Sequence, residues 1–250
     1  MKYLIKNKIF LISSIIIFFI SFFPVYFIFN PNDFPFDINI FIGVSVFSSI
    51  IFFFPILYIC FKSFKKHFFS LILISFYAIL IENIAILTGF PYSKFVYSNL
   101  MGPKFLFVPI TLPFAWIPIF FLALIIVYKI KNKMTKIISG GLIMTYFDLV
   151  LDPGATNIGF WIWEIKSGFY NVPYINFFGW ILTSTLAFIL WESIYPKFSP
   201  KVQDQKYLLL SGIYTLVFFM GVNFWLGQII PVILGLILWI YIYKNFFIKK

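Results

Sequence analysis

The chain has no arginine, one cysteine (Cys60), one histidine (His67) and only 11% charged residues in 250. Each scarcity removes a class of function. A lone cysteine excludes an internal disulfide and any thiolate metal cluster. A lone histidine excludes a histidine-rich iron or zinc centre. With 62% hydrophobic residues and a mean hydropathy of +1.00, there is too little polar surface to cover a soluble core. The net charge of +11 does not point to nucleic acid, because the lysines sit in short loops between apolar runs. No Gly/Ser linker, charge block or low-complexity tail divides the chain, so residues 1–250 read as a single integral membrane domain. Phe, Ile, Lys, Tyr and Asn are used as an AT-rich coding bias would use them, so the number of aromatic residues carries little by itself.

What is present is a series of apolar runs at 9–29, 38–61, 68–89, 105–128, 135–151, 177–195, 207–226 and 228–247, against the roughly 20 residues that a bilayer core demands. The fold class expected is an all-α polytopic membrane protein with eight spans. Seven remain possible, because Gly227 alone separates the last two runs. The first run is too long for a signal peptide and has no small-residue cleavage site. Of 19 lysines, 16 fall at alternate ends of the runs, and only Lys94, Lys104 and Lys166 are left for the other side. The positive-inside rule then puts both termini in the cytoplasm of a cell-membrane protein. Asp33, Asp37 and Glu164 fall in the outer loops. The fourth run carries Pro109, Pro113 and Pro118, each of which removes a backbone donor; a bent packing helix and a substrate-shaped groove both accommodate them.

Against this background Phe147–Trp180 stands apart. It holds three of the eight acidic residues, four of the thirteen glycines, three of the seven tryptophans and two prolines. A carboxylate within the membrane costs about 2.5–3.5 kcal/mol on insertion scales, so each should face the bundle interior with a partner or a proton. Glu82, Asp148 and Asp152 all approach the outer membrane face. Glu192 lies at the other end and reads as an interfacial residue near Lys197. Asp148 and Asp152 are four apart, which on a helix brings their Cβ atoms to about 5–6 Å. Pro153 is expected to end the helix at Asp152, leaving a structured outer loop over 153–176. Two such carboxyls away from water cannot both ionise cheaply, so the pair is expected to hold one proton between them. Acid catalysis is one use for that proton; anchoring a turn is the other use for Asp152. The rings of Trp161, Trp163, Tyr170 and Trp180 suit an interface belt, and a ring facing a carboxyl group can also stabilise a cation.

The pattern Asp148-Leu-Val-Leu-Asp152-Pro153-x-Ala155, Gly159-x-Trp161-x-Trp163, Gly168-x-Tyr170, Val172-Pro173 and Asn176-Phe177-x-Gly179-Trp180 resembles the carotenoid biosynthesis membrane proteins. That family includes the CruF-like carotenoid hydratases and the bisanhydrobacterioruberin hydratases. Glu82 with Thr88-Gly89-x-Pro91 and Tyr97 resembles a second family element, and the likeness covers about 80–195. Asn171 stands where the family pattern has Gly, and Ser93-Lys94-Phe95 where it has Gly-x-Tyr. The resemblance implies addition of water to the terminal C=C of a linear C40 or C50 carotenoid, giving a tertiary alcohol. Protonation would yield a tertiary carbocation that water captures, with no metal and no redox cofactor. It assigns Asp148 and Asp152 as acid and base, Glu82 as helper, and Trp161, Trp163, Tyr170, Asn176 and Trp180 as substrate-binding residues. The partners it implies are a lipid-soluble carotenoid, the bilayer and other membrane enzymes of the same pathway. A carotenoid end-group cyclase shares the protonation step. A membrane prenyltransferase would use Asp-x-x-x-Asp to hold magnesium and a diphosphate, but normally has two such motifs plus cations for the phosphates. A transporter or assembly protein could use the same carboxylates to relay protons.

Overall fold

Apolar runs of bilayer length can satisfy their backbone in lipid only as helices or closed barrels, and here they are helices. The computed structural model describes residues 2–30, 38–62, 68–166 and 168–248. Asp33, Asp37, Lys65, Lys66, His67, Ser167, Lys249 and Lys250 lie outside the described residues. Helices α1 (Lys2–Ile20) and α2 (Phe22–Phe29) meet at Ser21 and share one span. They are followed by α3 (Ile38–Lys62), α4 (Phe68–Thr88), α5 (Pro113–Val127), α6 (Lys133–Asn157), α7 (Tyr174–Ile194), α8 (Val202–Trp225) and α9 (Ile229–Ile242), the last continued by a π-helical turn to Phe247. Among the described residues, seven stretches are long and apolar enough to cross a membrane, and α5 is a shorter apolar helix beside them. The chain is an all-α, multi-pass membrane protein.

The fourth run departs from expectation. Residues 105–112 do not join its helix: β2 (Lys104–Phe105) and β3 (Val108–Pro109) form a tight antiparallel hairpin, and α5 starts at Pro113. Proline suits the first helical turn, where its missing N–H would be unpaired anyway, whereas Pro109 four residues earlier could not continue a helix. Fifteen residues span about 22 Å, short of the hydrocarbon core, yet α5 is buried along nearly its whole length. It is hydrophobic all round because it is surrounded by protein. A Cβ at Gly212 of α8 would sit 2.7 Å from Leu122 Cβ and 2.8 Å from the Pro118 carbonyl of α5. Glycine there lets the two backbones approach. Gly227 (φ +72°) turns the chain between α8 and α9, so the last hairpin is two helices.

A second correction concerns Pro153. It does not end α6, which continues to Asn157. A proline inside a helix frees backbone carbonyls one turn back, and a membrane helix tolerates it where neighbours re-satisfy them. The carbonyl left without its helical donor is that of Leu149; next to it, Asn223 of α8 donates its amide N–H to the Val150 carbonyl at 2.7 Å and ties α8 to this turn. The helix ends at Asn157 and is closed by Gly159 (φ +76°), whose N–H reaches Thr156 O while Phe160 N–H reaches Ala155 O. That is the Schellman arrangement, which calls for a left-handed residue. Glu192 is the third correction. It is buried, and its partner is Lys136 of α6, with Nζ 3.1 and 3.2 Å from its two oxygens, rather than Lys197. The pair ties α6 to α7, where the close approach at Gly141 and Thr185 already joins them.

Candidate functional site

At the end of the bundle opposite the Lys136–Glu192 pair, the connections α4–α5 and α6–α7 each contribute one short strand to a ribbon. Strands β1 (Phe95–Tyr97) and β4 (Trp161–Trp163) run antiparallel, with Phe95 opposite Trp163 and Tyr97 opposite Trp161. Alternation along a strand sends successive side chains to opposite faces. Val96 and Ile162 are 55% and 47% exposed, while Phe95, Tyr97, Trp161 and Trp163 are buried. The ribbon therefore presents four aromatic rings to the bundle. Tyr97 meets Trp161 edge-on at 5.9 Å, and Phe95 lies 4.9 Å from Trp163. The Trp163 indole is held by a 3.1 Å bond to Thr156 Oγ1.

Beneath the ribbon is a chamber of about 40 Å³, walled by those four rings together with Tyr92, Trp116 and Trp180. The indoles of Trp116 and Trp180 stack, 4.8 Å apart at 16°. Tyr92 reaches α7 because residue 179 is glycine: a Cβ there would lie 2.6 Å from the Tyr92 ring and 2.7 Å from the Pro91 carbonyl. Its hydroxyl is 2.8 Å from Thr183 Oγ1.

Two carboxyl groups face this chamber, Glu82 from α4 and Asp152 from α6. Glu82 accepts a bond on each oxygen, from Tyr97 Oη at 3.1 Å and from Trp116 Nε1 at 3.2 Å. The Tyr97 phenol is held well above its ordinary pKa, first by burial and then by the Glu82 charge, so it stays a donor. Asp148, one helical turn back from Asp152 in α6, does not line the chamber. Asn176, at the start of α7, donates through Nδ2 to Oδ2 of both, at 3.0 Å to Asp148 and 2.5 Å to Asp152. Among the described residues Asp148 Oδ1 has no hydrogen-bond partner, although Asp148 is fully buried.

Of the residues singled out from sequence, Glu82, Asp152, Trp161, Trp163, Asn176 and Trp180 line the chamber, and Asp148 stands directly behind it. Tyr170 does not join them. It sits at the tip of a tight hairpin closed between Phe169 and Val172, in a left-handed conformation (φ +51°). Its hydroxyl accepts from Ile230 N–H at the start of α9, and Asn157 Nδ2 donates to its carbonyl. The turn carries its ring to the flank of the bundle. Trp116 and Phe95 also line the chamber, though neither is among the site residues expected from the sequence. Trp116 is embedded in an apolar run where periodicity offers nothing to separate it from packing. Phe95 becomes visible only once β1 pairs with β4.

Residues 41–242 match the family described as carotenoid biosynthesis protein, and the chain belongs to that family. A bisanhydrobacterioruberin hydratase from Haloarcula japonica is 29% identical over 170 residues, covering 65% of this chain. The match spans 58% of that relative's length. No solved structure matches.

Proposed function

We propose that the chamber hydrates the terminal C=C of a linear carotenoid (C40 or C50), making the protein a hydro-lyase of carotenoid biosynthesis in the cell membrane. One observation carries this reading: Asp152, bridged to Asp148 by Asn176, and Glu82, which accepts two hydrogen bonds, face the same small, aromatic-walled space. The similarity to a bisanhydrobacterioruberin hydratase supports the same chemistry.

The reaction needs a proton, a water, a base and something to stabilise a cation. Asp152 gives the shared proton to the CH carbon of the terminal isopropylidene group, and the π electrons form the new C–H bond. The positive charge is left on the dimethyl-substituted carbon. The faces of Trp161, Trp180 and Trp116 are suited to that cation, since a ring face attracts positive charge. Water attacks the tertiary carbon and Glu82 takes the released proton, giving the tertiary alcohol. Proton return from Glu82 to the aspartate pair restores the starting state, so the balance is one alkene plus one water. Proton transfer and water suffice for this sequence, so no metal or redox cofactor is assigned. In this reading the roles differ from those the resemblance implies: Asp152 and Glu82 act on the substrate, and Asp148 holds the proton behind Asp152.

Expression in a host that accumulates a linear carotenoid tests the proposal by product mass. Gain of one water per reacted end is the expected result. An unchanged mass with a cyclised end would transfer the site to a cyclase, and gain of a prenyl unit to a prenyltransferase.

A further inference from the structure

A second, larger cavity of about 340 Å³ lies beside the chamber, between α2, α3 and α8. Its walls are apolar and largely aromatic, with Phe23 and Phe27 of α2, Phe41 and Phe52 of α3, and Phe218 of α8. The chamber and this groove have four lining residues in common: Met101, Ala115, Leu151 and Trp161. Those four form a thin partition with carboxyl groups on one side and hydrocarbon on the other. Size makes the partition consequential. A chamber of about 40 Å³ holds roughly three waters at 10–15 Å³ each; it cannot take a branched alkene end and water together unless the partition yields. The groove face of α3 carries Ser45, Ser48 and Ser49, but Ser49 Oγ bonds back to the Ser45 carbonyl at 3.0 Å. A back-bonded hydroxyl makes little demand on an apolar ligand.

We infer that the groove is the binding site for the polyene body of the substrate, and that Met101, Ala115, Leu151 and Trp161 form the neck through which its end reaches Asp152 and Glu82. The occupant is a long, methyl-branched polyene entering from the bilayer, because the groove is built on helices whose outer faces meet lipid and it adjoins the chamber at a single partition. This inference rests on the hydratase reading and is tested so that the two can fail separately.

The experiment measures carotenoid bound per purified protein in lipid nanodiscs, and hydration rate, in parallel. Asp152→Asn is expected to keep its pigment and lose turnover. Val44→Trp and Ser48→Trp, which fill the groove from α3, should lose at least tenfold in bound pigment and lose turnover with it. Ala115→Phe, at the neck, should retain pigment but turn over at least tenfold more slowly. Leu80→Trp, on the lipid face of α4, should match the unmodified protein in both. Pigment should also slow alkylation of a Ser48→Cys variant at least tenfold, a reading that needs no bulky side chain; Cys60 is buried. Normal binding and hydration in Val44→Trp and Ser48→Trp, or alkylation at Ser48→Cys indifferent to pigment, would overturn the groove while leaving hydration standing. Groove-dependent pigment binding with no change in pigment mass would instead support the groove and remove the hydratase reading.

Discussion

The indole of Trp116 lies flat against that of Trp180, with ring centres 4.8 Å apart, and its N–H ends 3.2 Å from Glu82 Oε1. One side chain of α5 thus braces α7 and orients a carboxylate of α4. A short helix buried on all sides is what brings these groups into register, and the proposed roles can be tested around it.

The aspartate pair comes first. Asn at either position keeps the size of the side chain and removes the acid. General acid–base groups typically contribute about 10²–10⁴-fold, so Asp148→Asn and Asp152→Asn should each slow hydration by at least about a hundredfold while still accumulating in membranes. The double variant should be little worse than the worse single one, because groups acting as a unit are not additive. Near-normal turnover in Asp152→Asn, together with low abundance of Asp152→Ala, would make Asp152 a packing anchor instead.

Glu82 depends on its two donors. Tyr97→Phe and Trp116→Phe each keep a ring and delete one hydrogen bond to a charged group, a change of about 1.5–3 kcal/mol. Rates should fall roughly 10- to 100-fold in each, since 1.4 kcal/mol is about a factor of ten. Glu82→Gln should fall further than either. If Tyr97→Phe and Glu82→Gln both turned over normally, the base would have to be sought elsewhere.

The ring wall gives a graded expectation. Trp161→Phe leaves a π face toward the cation and should cost less than either aspartate variant, whereas Trp161→Leu removes the face and should cost more. Equal rates for the two would show that Trp161 contributes volume alone.

Oxygen incorporation addresses the reaction class. Labelled water should deliver its oxygen to the product, and membranes treated with a chelator under anaerobic conditions should remain active. Label arriving from molecular oxygen would identify a hydroxylase.

Orientation rests on the division of lysines, 16 against 3. Reporter fusions after Lys136 and Lys206 should read as cytoplasmic, and those near Asn99 and Lys166 as external. A cytoplasmic signal near Lys166 would put the chamber at the opposite face.

Composition and period were enough for the membrane class and the helical runs, because a bilayer admits few ways to satisfy a backbone and hydrophobic length reports them directly. The Asp148–Asp152 spacing likewise implied one helix face, and that face survives in α6. Tertiary structure decided what local rules could not. Local rules end α6 at Pro153, but the helix continues to Asn157, and Asn223, more than seventy residues away in sequence, bonds the Val150 carbonyl in that turn. Local rules could not say whether Asp148 or Asp152 faces a cavity, since two residues four apart on one face differ only in depth. That choice falls to Asn176 of α7 and to the ribbon in which β1 meets β4. Trp116 takes its role only from packing, because an indole in an apolar run becomes a hydrogen-bond donor to Glu82 when a neighbouring helix brings a carboxylate to it.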